Sequence, residues 1–248
     1  MARSLPLRRL RQLRVDHRVI PHAPSVRAII FDFGGTLDGP GLPWGERFAA
    51  LYREAGIELP AATLQKATAH GTRSAYRTPH VASLDLRATI AFHVARQVEH
   101  LAIEDPFVAE QIVARFLAQA TAALAESRAV LTRLARRFAL GVVSNFYGNL
   151  ERVLGDAGFA PLLSVAVDST VAAVSKPDPA IFTLAVARLG LRASDVLVVG
   201  DSLDQDIAPA RAAGLRTAWL AGTRARPEPP PADLCLGTLG ELEALLGA

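Results

Sequence analysis

Five short runs of β-branched and aromatic residues, spaced by segments of helical periodicity, do most to narrow what this chain can fold into. They are AIIFDF at 28–33, FALGVVSN at 138–145, LLSVAV at 162–167, VLVVG at 196–200 and RTAWLA at 216–221. Near-continuous apolar strands are covered on both faces, which is the condition of a parallel sheet between helical layers. Helical patterns around 148–156, 178–189, 205–213 and 238–246 supply those layers, with Gly214 placed to end the third. The LCL run at Cys235 adds an edge strand. This order predicts an α/β fold, a Rossmann-like parallel sheet flanked by helices.

One interval breaks the rhythm. About a hundred residues lie between the first strand and the second, far more than an ordinary strand-to-helix connection needs. Their pattern is helical, with Trp44, Phe48, Leu51, Tyr52 and Ala55 on one stripe, Ile90, Val94, Val98 and Leu101 on another, and Val108, Ile112 and Phe116 on a third. Pro40, Gly41 and Pro43 mark the exit from the sheet, and residues near 120–127 mark the return. The expected organisation is a basic extension at 1–26, a core domain at 27–40 and 126–248, and an inserted helical cap domain at 41–125.

Composition removes several function classes. Half of the 248 residues are apolar, enough for a sizeable core and against disorder. No apolar run approaches the roughly 18 to 20 residues that span a bilayer. A lone cysteine, Cys235, forms no intrachain disulfide and suits a reducing cytoplasm. The net charge of +3 comes from one end: residues 1–27 hold seven arginines against Asp16, which leaves the rest net acidic by three. The basic balance therefore does not argue for a nucleic-acid or membrane partner of the folded body, and oligomeric state is left open.

Ligands of open parallel sheets bind beyond the carboxyl ends of the strands, and there the polar residues gather. The first strand ends in FDFGGTLD with Asp32 and Thr36, and the second in VVSNF with Ser144 and Asn145. Lys176 follows the third in SKPDPAIF, and the fourth runs into VVGDSLDQD with Asp201 and Asp206. Acids from separated strands suit Mg²⁺, which favours few carboxylates and several waters. Hydroxyls and an ammonium around such an ion suit a phosphoryl group. Lys176 is one of only two lysines beside 25 arginines, as if a compact ammonium were needed there.

These four motifs, in this order, resemble those of the haloacid dehalogenase superfamily, whose members are mostly phosphatases with a helical cap after the first motif. The resemblance covers residues 28–248 and implies the roles that follow. Asp32 would be the nucleophile, forming an aspartyl-phosphate intermediate. Mg²⁺ would be held by Asp32, the backbone carbonyl of Gly34 and Asp201. Thr36 and Ser144 would bind phosphoryl oxygens with Asn145 beside them, and Lys176 would screen charge. Asp206 would orient Lys176 or a metal-bound water, while Asp204 faces solvent.

At residue 34 the sequence departs from the family pattern. Family phosphatases carry there a second aspartate, the general acid and base, and this chain carries Gly34. Such a group contributes about 10²- to 10⁴-fold in rate. The implied function is a Mg²⁺-dependent hydrolase of a small phosphorylated metabolite, slow on ordinary monoesters or specialised for activated ones. The alternatives are a hydrolase of the dehalogenase or phosphonatase type, and a catalytically impaired binding or regulatory module. In the cap, His70, Arg73, Tyr76, Arg77, His80 and His93 are candidates to line a pocket, with Arg73 or Arg77 clamping a second anionic group. Solvated helix faces explain them equally well. Trp44 and Arg47 are placed to touch substrate when the cap closes, although a tryptophan in that place is more often core.

Overall fold

The computed structural model of the protein describes residues 26–247, so the basic extension lies almost wholly outside the described residues. Six strands form one sheet: β1 Ala28–Phe31, β2 Ala139–Ser144, β3 Val165–Asp168, β4 Val196–Gly200, β5 Arg216–Leu220 and β6 Leu234–Leu236. Their order is β3-β2-β1-β4-β5-β6, and every pairing is parallel. Each apolar run contains a strand, although the run at 162–167 enters β3 only at Val165 because Leu162 closes a 3-10 turn, and the LCL run forms the edge opposite β3.

Alternation along β1 sends its side chains into two cores. Ile29 and Phe31 pack with Leu140, Val142, Leu197 and Val199, whereas Ala28 and Ile30 pack with Val143, Val165, Val196 and Val198. Helix α5 (Leu150–Asp156) covers the first face, and helix α7 (Ala180–Leu189) covers the second through Ile181, Phe182 and Ala185. A one-turn helix α6 (Ser169–Ala172) follows β3, and α9 (Glu241–Leu246) ends the described chain. The helix read at 205–213 begins as one turn of π-helix at Leu203–Ile207 and continues as α8 (Ala208–Ala212).

The long interval between β1 and β2 is helical throughout: α1 Trp44–Glu54, α2 Ala61–Arg77, α3 Leu86–His100 and α4 Pro106–Leu134. These four share a core of their own, in which Phe48, Leu51 and Tyr52 meet Ile90, Val94, Ile112 and Phe116. Helix α4 starts at a side-chain cap from Asp105 with Pro106 in the first turn, and its 29 residues run unbroken through position 125. What changes there is the packing. Ala120 and the residues before it face the helical core, while Val130, Leu131 and Leu134 face the sheet. Ser127 Oγ donates to Leu37 O at 2.8 Å, which fastens α4 to the loop after β1. Among the described residues no helix is long and apolar enough to cross a membrane.

His93 is a weak point of this helical core. It is buried on α3 beside Trp44, Phe48 and Tyr147, and neither ring nitrogen has a partner. Burial pushes its pKa down from 6.5 to about 4, so the folded chain keeps it neutral where the unfolded chain protonates it. Its contribution is whole above about pH 6.5 and is lost as pH falls through about 4. Urea unfolding at pH 7 and pH 4.5 is expected to differ by roughly 2 to 3 kcal/mol more for the parent than for His93→Phe. Equal acid losses in the two proteins would rule His93 out as the source.

Candidate active site

Register explains why distant residues meet. Phe31 pairs with both Val142 and Val199, so the three central strands end at one level. Asp32 leaves β1 there, Ser144 is the last residue of β2, and Asp201 follows β4. Lys176, from the segment between α6 and α7, reaches the same point and donates from Nζ to Asp32 Oδ1 at 2.5 Å and to Asp206 Oδ1 at 2.6 Å. Ser144 Oγ donates to Asp32 Oδ1 at 3.1 Å, and Thr36 Oγ1 to Asp201 Oδ1 at 3.1 Å. The structure brings together Asp32, Gly34, Thr36, Ser144, Asn145, Lys176, Asp201 and Asp206, as the motif order led us to expect; Asp204 is exposed and outside the group.

Local turns set these positions. Gly35 has φ +97, and a Cβ on it would lie 2.8 Å from Asp201 Oδ2, so the chain passes the acid only as glycine. Asn145 is bound to the backbone of Lys176: its Oδ1 accepts from Lys176 N at 2.8 Å and its Nδ2 donates to Lys176 O at 2.9 Å. Asp206 Oδ2 accepts from Ser202 N at 3.0 Å, which fixes the acid that faces Lys176.

The charges are crowded and buried. Desolvation by itself would lower the pKa of Lys176, but Asp206 and Asp32 outweigh it and hold the ammonium charged. Burial raises Asp206 to about 6 against the pull of Lys176. Burial, then the charges of Asp32 and Asp206, push Asp201 well above the usual carboxylate range. One ammonium faces three carboxylates that each place one oxygen within 4.8 Å of the others, and Asp201 Oδ2 is buried without any partner. An orphaned acceptor in an acidic group with a charge deficit fits a hard divalent cation; Asp32, Asp201 and Asp206 are the side chains able to hold it.

Two residues, one at the end of the first motif and one six residues beyond it, were not assigned these places from sequence. Asp38 is fully buried and accepts from Gly35 N at 2.6 Å, Trp44 Nε1 at 2.7 Å and Arg47 Nη1 at 3.1 Å. Trp44, so anchored, lies across Gly34: a Cβ on residue 34 would stand 3.3 Å from its Nε1 and 3.6 Å from two ring carbons. A side chain at 34 would meet the indole at its first carbon, and the ring would have to give by a few tenths of an ångström to admit it. The carboxyl ends of the strands open into a cleft of about 340 Å³ whose far wall includes Trp44, Thr68, Thr72, Phe146 and Tyr147. The cap candidates read from sequence do not line it. His70 stacks on His100, Tyr76 packs against Tyr147, His93 is behind the wall, and Arg73, Arg77 and His80 are exposed.

A family model of the haloacid dehalogenase-like hydrolases matches residues 26–214. The chain belongs to this family of hydrolases. It is similar to a phosphoserine phosphatase of Thermus thermophilus, 29% identical over 93% of this chain and 96% of that protein. Haloacid dehalogenase-like hydrolase domain-containing protein 3 of Danio rerio is 41% identical over 43% of this chain and 45% of its own length. Among solved structures, the HAD-hydrolase YfnB of Bacillus subtilis bound to magnesium shares the fold, with 20% identity and a TM-score of 0.59 over 90% of this chain and 100% of that one. In this haloacid dehalogenase-like hydrolase, then, all four motifs converge on one cleft, where Trp44 packs against Gly34.

Proposed function

We propose that this hydrolase is a Mg²⁺-dependent phosphatase of small phosphorylated metabolites, working through an aspartyl-phosphate on Asp32. The observation that carries the reading is the cleft floor, where a buried ammonium holds Asp32 while Asp201 keeps an unpartnered oxygen beside it. A dehalogenase without a metal has no need of that oxygen. The likeness to a phosphoserine phosphatase along almost the whole chain supports phosphoryl chemistry as well.

In this reading Asp32 attacks phosphorus, the Asp32–phosphorus bond forms, and the bond to the leaving oxygen breaks. Water then attacks the phosphorus of the intermediate, the bond between Asp32 Oδ and phosphorus breaks to restore the carboxylate, and the water's proton leaves with the released phosphate. Lys176 orients the carboxylate through the contact of its Nζ with Oδ1, and Ser144 donates to the same oxygen. Asn145 and Asp206 position Lys176 from its backbone and its tip. Mg²⁺ held by Asp32, Asp201 and the Gly34 carbonyl would offset the repulsion between carboxylate and phosphoryl oxygens. No side chain at 34 protonates the leaving oxygen, so substrates whose leaving group departs as a stable anion, such as acyl or aryl phosphates, are favoured.

With Mg²⁺, the protein is expected to hydrolyse acyl and aryl phosphates well ahead of sugar phosphates. Gly34→Asp alone is expected to gain little on sugar phosphates because the new Cβ would stand 3.3 Å from Trp44 Nε1 and crowd the indole. Combined with Trp44→Ala it should gain at least about tenfold, the low end of general acid catalysis with some loss of packing. Absence of Mg²⁺-dependent turnover on every phosphate in both the parent and the double variant would defeat the reading.

A further inference from the structure

Resting on the phosphatase reading, we infer that the part of the substrate beyond the phosphoryl group is uncharged and largely apolar. Lys176 is the one cationic side chain among the described residues that line the cleft, and both of its carboxylate partners are within 2.6 Å. The wall facing it is Trp44, Thr68, Thr72, Phe146 and Tyr147, aromatic faces and threonines without a charge.

Nearby cations are engaged elsewhere. The Arg47 guanidinium is buried against Asp38 at 3.1 Å and over the Phe116 ring at 3.9 Å, and it is outside the cleft lining. His93 stands behind Trp44 and Tyr147, and burial keeps it neutral. Arg73 and Arg77 sit on exposed faces of α2 and outside the cleft lining. Three carboxylates, one ammonium and a divalent cation come to no net charge, and the phosphoryl group then adds its own negative charge. A carboxylate or second phosphate on the same molecule would lose its water against aromatic walls and meet no counter-charge. A neutral ring or chain instead stacks on Trp44, Phe146 and Tyr147 and can hydrogen-bond to threonine. Selection against a second anion is therefore built into α1, α2 and the loop after β2.

Two non-hydrolysable ligands of nearly equal shape test this on the full chain with Mg²⁺: (4-carbamoylbenzyl)phosphonate and (4-carboxybenzyl)phosphonate, compared by calorimetry. We expect the amide to bind at least tenfold more tightly than the carboxylate. Thr68→Arg, which adds a cation to the half-buried cleft wall, should bring the ratio to parity or invert it. Equal or tighter binding of the carboxylate by the parent protein, or no binding of the amide, would overturn the inference. The phosphatase reading is tested apart from it by turnover of the corresponding aryl phosphates: loss of turnover with the affinity ratio intact would defeat the reaction and leave the ligand class standing.

Discussion

Replacing Asp32 with asparagine is expected to lower kcat/KM on an aryl phosphate by at least about 10⁴-fold, the scale seen when a covalent nucleophile is removed. The fold should survive the change. An amide oxygen at the Oδ1 position still accepts from Lys176 Nζ and Ser144 Oγ, whose distances in the parent are 2.5 and 3.1 Å. The substitution also removes one negative charge from an acidic group whose oxygens lie within 4.8 Å of one another, and so relieves repulsion with Asp201 and Asp206. Thermal unfolding without Mg²⁺ should therefore be unchanged or shifted upward while activity disappears. In the parent, acid quench during turnover followed by mass spectrometry should find a phosphoryl group on residue 32. Retention of more than about one hundredth of the activity in Asp32→Asn, well above what loss of a nucleophile leaves, would remove Asp32 from that role.

The parts of this molecule that could be read from sequence are those fixed by the sheet. An apolar run of four to six residues in a parallel sheet has one way to end, and polar residues following β1, β2 and β4 in register fall side by side. Asp32, Ser144 and Asp201 were legible for that reason, and Lys176 for its rarity. Helix α4 was legible in part: no glycine or proline interrupts positions 107–134, but a change of packing partner within one helix leaves no break in the pattern. The contact of Trp44 with Gly34 was not legible, because it depends on how α1 turns back over the loop, which the buried Asp38 determines through three hydrogen bonds. Asp38 lies next to Gly39 and Pro40, where an aspartate is most simply read as a turn residue. The exposed arginines of α2 failed as clamp candidates because helical periodicity gives a face and not its neighbour.

The largest effect on stability should come from Lys176. Its ammonium is buried between Asp32 and Asp206, and burial of three carboxylates in one cluster is tolerable only while a cation stands among them. Lys176→Met keeps most of the apolar stem and removes the ammonium together with its hydrogen bonds to Asp32 and Asp206. Breaking a buried pair from one side costs about 3 to 5 kcal/mol, because the partner left behind has lost both its water and its counter-charge. Urea unfolding of Lys176→Met at neutral pH without divalent ions should show a loss of that order. Two further measurements separate electrostatics from packing. Removing an acid as well, in Lys176→Met with Asp206→Asn, should recover part of the loss, since the residues are in contact and their effects are not additive. Saturating Mg²⁺ should stabilise Lys176→Met through linkage to the folded state, as a second source of positive charge for the same carboxylates. A variant as stable as the parent, or one that neither Asp206→Asn nor Mg²⁺ improves, would mean that these acids do not depend on the ammonium, and the electrostatic account of the cleft floor would fail with it.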